Sequence, residues 1–230
     1  MDVRESLHMK VGEGENSYAR NSFFTAPSGL EDDKGLPLNR GKIYISKSSP
    51  PCVWKAYLGQ FQKDFNLFLR LRSREMIQNG RMVLILHGRE TADPTCKGSC
   101  YVWELLAEAL SYMVSQGCIK EEKLDSFNVP YYTPTLDEVA EAVEEEGSFE
   151  AKLLQTFSIS QGDEVEEDVQ VRGSKIAKNI RCFTEPLITH HFGEDVLEKL
   201  FEKVTHMVID QLAKEMVVTT GILFALKMRN

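Results

Sequence analysis

Several things are missing from this sequence, and each absence removes a class of protein. No run approaches the roughly 18 consecutive apolar residues that a membrane-spanning helix needs, so no membrane partner is expected. The first ten residues, MDVRESLHMK, lack the apolar core of a secretory signal, which points to a cytoplasmic protein. Basic residues are in deficit: 27 Lys and Arg stand against 35 Asp and Glu, a formal net charge of −8. Nucleic-acid binding neutralises phosphates with clustered Lys and Arg, so no nucleic-acid partner is expected either. The cysteines are Cys52, Cys96, Cys100, Cys118 and Cys182, an odd number that reads as reduced thiols. Cys96 and Cys100 are close in sequence, but no second Cys/His pair completes a zinc site. Also absent is a strand leading through a glycine-rich loop into a helix start, the arrangement that cradles nucleosides. The stretch GEGENS at 12–17 is glycine-rich, yet no buried strand precedes it and no clean helical period follows.

What is present suffices for one buried domain: 230 residues, 42% of them hydrophobic. Residues 12–38, rich in Gly, Ser, Asn, Asp and Pro, read as irregular. After Pro50-Pro51, apolar residues recur at Val53, Tyr57, Phe61, Phe65, Phe68 and Leu71, steps of three and four that predict an amphipathic helix. Asn79-Gly80 turns the chain into 82–86, a run apolar on both faces and closed by Gly88, which predicts a buried strand. A second helix is expected over 103–115, stopped at Gly117. Thr135 and Glu138 form a capping box for a third, with Val139 and Val143 inward and the acidic run 141–146 as its solvated face. Phe149, Ala151, Leu153, Phe157 and Ile159 mostly alternate with polar residues, as in a half-buried strand. The acidic stretch 161–172 reads as a flexible loop. Helices near 174–190 and 194–216 follow, the second striped by Val196, Leu200, Val204, Met207 and Leu212. The apolar run 222–226 closes the chain as a strand. Strands alternating with helices indicate an α/β layered sheet.

Two blocks carry a family resemblance. Residues 7–22, LHMKVGEGENSYARNS, resemble the opening of the plant SABATH carboxyl methyltransferases, which act on salicylate, benzoate and jasmonate. From Ala26 onward, beginning APSGLEDDKG and including EEKLDSFNVPYYTP and VEEEGSFE, the chain is similar to the second half of the same proteins, in the same order. The join falls within Phe23-Phe24-Thr25. Between these blocks family members carry an S-adenosylmethionine-binding unit. A βαβ unit takes about 30 residues, so the absent stretch is on the order of a hundred residues or more. The resemblance implies an α/β fold: a partial Rossmann-like, class I methyltransferase sheet with α-helical elements capping the substrate pocket. Residues 1–25 would be an N-terminal lid and 26–230 the C-terminal part of the methyltransferase domain. The strand near 81–88 is central in the family. Here it would keep one open edge, which predicts a chain that is unstable or prone to associate.

The function so implied is S-adenosylmethionine-dependent methylation of a small carboxylic acid such as salicylate or benzoate. An acid with a pKa of about 4 is already ionised at neutral pH, so no general base is required and no catalytic side chain is expected. Carried over by resemblance, Tyr18 and Lys10 line the cofactor and carboxylate region. Trp103, Tyr132, Ile180 and Phe183 wall the substrate, and Asp125, Phe127 and Asn128 offer oxygen ligands to a Mg2+ ion. From the residues alone the same positions also read as a packed tyrosine, a solvated lysine, core residues and a capped turn. His190 and His191 read as structural. Thr25 stands where relatives carry a carboxylate-binding glutamine, and a clamping tryptophan falls in the absent stretch. With cradle and clamps missing, little methyl transfer is expected of this chain by itself. The alternative is an inactive fragment that associates with a full-length relative, as a heterodimer, or with itself.

Overall fold

The structure is a computed structural model that describes residues 27–160, 168–214 and 218–229. The N-terminal segment 1–25 and Tyr18, Lys10 and Thr25 within it lie outside the described residues, as do 161–167.

Helix α1, Pro51–Glu75, begins at a proline, whose fixed φ suits the first helical turn and whose missing N–H costs nothing there. It buries Val53, Tyr57, Phe65 and Leu69 and ends with Arg72 and Arg74 at the negative end of its dipole. The chain turns at Asn79, in the left-handed region at φ 63°, and enters β1, Arg81–Gly88. Helix α2, Lys97–Ser115, carries ten buried residues, among them Cys100, Trp103, Leu106 and Leu110, and is the centre of the helical core. A short helix α3, Glu121–Asp125, precedes the extended segment 127–135. Helix α4, Leu136–Glu146, starts on the expected capping box, with the Thr135 side chain accepting from the Glu138 amide and Glu138 returning to the Thr135 amide. It stops at Gly147, where φ is 81°, a conformation that favours glycine. Strand β2 is Phe149–Ser160. Helix α5, Val169–Phe192, is capped by Asp168 and contains Pro186. A turn of 3₁₀ helix, Glu194–Val196, leads into α6, Leu197–Leu212, and the chain returns as β3, Val218–Met228.

The strands form one sheet of order β1-β3-β2, with β3 antiparallel to both neighbours. Two cores follow. Phe65 and Leu69 of α1 and Val139, Ala142 and Val143 of α4 cover one sheet face, packing on Ile222, Phe224 and Leu226 of β3. The larger core joins α2, α5, α6 and the buried loop residues Ile43, Tyr44 and Ile45. The 42–45 segment is no strand, so among the described residues β1 pairs with β3 alone and its other edge is open.

Three expectations need correction. The run 82–86 is not buried on both faces: Met82, Leu84 and Leu86 pack inward, while Val83 and Ile85 are 64% and 65% exposed. Strand β2 is likewise mostly exposed beyond Phe149, with Leu153 and Phe157 open to solvent. Apolarity recorded two faces built for cover, and among the described residues only one is covered. Lastly, α5 starts at Val169, inside the stretch expected as loop, because the Asp168 carboxylate accepts from the Gln170 amide at 2.7 Å and caps the helix.

Helices α5 and α6 meet at Gly173, where a Cβ would press on the Ile209 side chain and stand 3.2 Å from its Cα. A backbone neighbour cannot rotate away. Overpacking costs about 1–3 kcal/mol, against about 1 kcal/mol gained in helix propensity. Gly173→Ala is therefore expected to lower stability by up to about 2 kcal/mol, read as a shift in the urea midpoint.

Candidate functional site

Where β1 and α2 approach α5, the fold leaves a cavity of about 650 Å³. Its floor is His87 at the end of β1 and Thr219 at the start of β3; α2 contributes Gly98, Ser99, Tyr101, Val102 and Trp103. Tyr131 comes from the extended segment, and Ile176, Asn179, Ile180 and Phe183 come from one stripe of α5. Ligands in open α/β sheets bind at the carboxyl ends of strands, and β1 ends here.

Three of the four expected wall residues meet in this cavity: Trp103, Ile180 and Phe183. Trp103 and Phe183 meet edge to face, with centroids 6.0 Å apart at 80°, and Trp103 lies 5.1 Å from the Tyr131 ring. Trp103 and Ile180 are buried, whereas Phe183 is 52% exposed at the rim. Tyr132 lies elsewhere. It lines a smaller cavity with Phe61, Phe65 and Leu86, donates to both Glu138 oxygens at 3.0 and 3.1 Å, and stacks under the Arg89 guanidinium at 5.1 Å. Its neighbour Tyr131 borders both cavities.

The polar groups of the larger cavity are neutral. Among the described residues no Lys, Arg, Asp or Glu lines it. Burial raises the phenols of Tyr131 and Tyr101 above their ordinary value, so both stay protonated. His87 Nδ1 is 2.8 Å from the Tyr131 hydroxyl, and partial burial lowers the imidazole pKa below its ordinary value. Sequence reasoning missed His87, Tyr131, Asn179 and Ser99. The legible signal was a histidine closing an apolar strand at its carboxyl end.

The DSFN turn is a latch. Asp125 Oδ1 accepts from the Gly41 amide at 2.8 Å, and Asn128 Oδ1 accepts from Asn39 Nδ2 at 3.3 Å. Asn39 is also held by Ser49, whose hydroxyl donates to Oδ1 at 2.7 Å, while Phe127 packs on His191 and Phe192. Magnesium demands near-octahedral oxygen ligation. Here one carboxylate and one amide already accept N–H donors, and among the described residues no group of three or more His, Cys, Asp or Glu could hold a metal. The donor set does not fit the ion.

Nor do the described residues fit a nucleoside cradle. The glycines flanking the connection from β1 to α2 serve close packing: a Cβ on Gly88 would stand 2.9 Å from the Pro134 carbonyl, and one on Gly98 2.8 Å from that of Val218. Cys100, in the first turns of α2, is structural as well. Its Sγ donates to the Ile45 and Pro94 carbonyls at 3.2 and 3.1 Å, and burial pushes the thiol up to about 12. No helix among the described residues is long and apolar enough to cross a membrane.

The described fold is a helix-backed α/β sheet with an aromatic cavity at a strand end. Residues 23–229 match the SAM dependent carboxyl methyltransferase family, and the chain belongs to it. A 7-methylxanthine methyltransferase from Camellia ptilophylla is 49% identical over 97% of this chain and 60% of its own length. A 3,7-dimethylxanthine N-methyltransferase from Camellia sinensis var. assamica is also 49% identical, over 97% of this chain and 59% of its own. Among solved structures, a loganic acid methyltransferase with SAH superposes with a TM-score of 0.75 at 29% identity, covering 90% of this chain and 60% of that one. The chain thus spans about 60% of the length of these relatives, in keeping with the stretch absent from its sequence.

Proposed function

We propose that this chain is the acceptor-binding part of an S-adenosylmethionine-dependent methyltransferase, and that its cavity takes a flat, uncharged N-heterocycle of the xanthine type. The observation that carries this reading is a cavity with aromatic and aliphatic walls, Trp103, Tyr131, Ile180 and Phe183, and, among the described residues, no charged group in its lining. A carboxylate such as salicylate or benzoate would lose its hydration there without a counter-ion, at a cost of several kcal/mol. A xanthine-type ring gives up less and can meet His87, Ser99 and Asn179. Two relatives, 49% identical over the 223 aligned residues, are named for methylating xanthines, which supports the same class. In this reading Tyr18 and Lys10, in the lid segment 1–25, keep the cofactor-side role that the resemblance gives them. Tyr132 acts through the loop that presents Tyr131.

Titration calorimetry with 7-methylxanthine and with benzoate tests the assignment. The expected result is one heterocycle site per chain and markedly weaker benzoate binding. Preference for benzoate would return the chain to the carboxylate reading.

A second reading, association with another copy or with a full-length relative, rests on the uncovered sheet face around Val83 and Ile85.

A further inference from the structure

We propose that the smaller cavity, against Phe61, Phe65 and Phe68 of α1, is a docking groove for the chain's own segment 22–26, with Phe23 and Phe24 as its anchors. The inference is independent of which acceptor the larger cavity takes.

The groove has a volume of about 300 Å³ and lies between α1, Leu86 of β1 and Tyr132. Its wall is a row of rings. Phe61 and Phe65 stack with centroids 5.4 Å apart at 11°, Phe65 and Phe68 follow at 6.1 Å and 15°, and Tyr132 continues the row 5.3 Å from Phe61. Phe65 is buried, whereas Phe61 and Phe68 keep part of their surface open, so further rings can pack on the row. The Tyr57 hydroxyl also lines the groove, buried and with no hydrogen-bond partner among the described residues. Burial raises its pKa above the ordinary value, so it keeps a proton to donate. A backbone carbonyl entering the groove would accept it. At the rim, Gln60 Nε2 donates to both Asp64 oxygens at 2.9 Å, so the rim's polar pair is already matched. The groove asks for rings and a carbonyl, with no ion to pair.

The chain brings both to this place. Pro27, the first described residue, is buried and lines the groove. Immediately before it stands Ser22-Phe23-Phe24-Thr25-Ala26, uncharged and with two adjacent rings. Phe24 and Phe23 are three and four residues from Pro27, a reach of about 10–14 Å when extended. The row from Phe61 to Phe68 rises about 10 Å along α1, so the tether spans it. So short a tether holds the rings at an effective concentration on the order of millimolar. A second copy at micromolar concentration would offer the same contacts at a disadvantage of about a thousandfold, which selects the chain's own segment as the occupant. Because Tyr131 borders both cavities, a segment seated here also backs a wall of the larger one.

Hydrogen exchange of the full chain, read by mass spectrometry, tests the docking, with circular dichroism as the control for folding. Amides of residues 23–25 are expected to exchange at least about tenfold more slowly than in a free peptide of the same sequence, at every protein concentration. Phe61→Ala with Phe68→Ala, which opens the groove, returns them to the peptide rate. Phe23→Ser with Phe24→Ser, which alters neither charge nor any described contact, speeds exchange in 57–68 about tenfold. Peptide-like rates at 23–25 in the unchanged chain overturn the proposal. Protection that survives in a folded Phe61→Ala and Phe68→Ala variant places the segment elsewhere and overturns it too. Protection that fades on dilution assigns the groove to a second copy and overturns the intramolecular occupant.

Discussion

Glu138→Ala is expected to cost about 3–5 kcal/mol of stability, the range for removing one partner of a buried ion pair. Arg89, just beyond β1, is 3% exposed, and its Nη2 donates to Glu138 Oε1 at 2.5 Å. Its Nη1 donates to the Thr133 carbonyl. Burial pulls against the guanidinium charge, but the bond and charge of Glu138, with help from Tyr132, outweigh it and leave the Arg89 pKa raised. Without Glu138 the charge stays buried and unpaired. The glutamate also accepts from Tyr132 and from the Thr135 amide, so one substitution frees three donors held by its carboxylate. Thr135→Ala, which removes only the cap's side-chain acceptor, should cost about 1 kcal/mol and serves as the comparison. Replacing both charges, Arg89→Met with Glu138→Ala, should recover a large part of the loss, because no ion is then left uncompensated. Urea unfolding of the three variants decides: a Glu138→Ala loss no larger than that of Thr135→Ala would mean water reaches Arg89. The cluster lies beside the site, since it fixes Tyr132 and so the strand-like segment that delivers Tyr131 to the cavity.

Much of this was legible in the sequence, for stated reasons. The α1 stripe of Val53, Tyr57 and Phe65 and the capping box at Thr135 and Glu138 are local patterns, and local patterns survive translation into structure. Family membership was legible in two blocks, residues 7–22 and the stretch from Ala26 onward that includes DSFN. The site was only partly so. Trp103, Ile180 and Phe183 do converge, but Tyr131 and Tyr132 are adjacent in an extended segment, where neighbouring side chains point to opposite sides. A doublet of identical residues gives no sign that Tyr131 borders both cavities and Tyr132 the smaller one alone. The loop network was hidden too, because Asn39 and Asn128 are far apart in sequence and meet only through the fold. Likewise, the apolar run of β1 showed two faces meant for burial and could not show that one lacks a cover.

That uncovered face sets the second large effect: the chain is expected to self-associate in a concentration-dependent way, and Val83→Thr with Ile85→Thr to return it toward the monomer. Val83, Ile85, Leu153 and Phe157 form an exposed apolar group across the sheet, joined through Leu223 and Ala225 of β3 by strand register. Covering the exposed parts of Val83 and Ile85 is worth about 1–2 kcal/mol each, enough to favour contact. Area limits the strength. Strands about 4.8 Å apart, rising about 3.3 Å per residue, make eight positions on three strands a flat patch of about 350 Å². A stable interface buries about 800 Å² on each partner, so the face alone supports weak association and no tight dimer. Threonine keeps the β-branch that suits a strand and leaves the net charge of −8 unchanged, so the double variant alters apolarity and little else. Light scattering across a dilution series should show the average mass of the unchanged chain rising with concentration and that of the variant staying at the monomer. A variant that associates as strongly as its parent would move the contact from the face to the open edge of β1, whose unpaired N–H and C=O groups threonine does not alter.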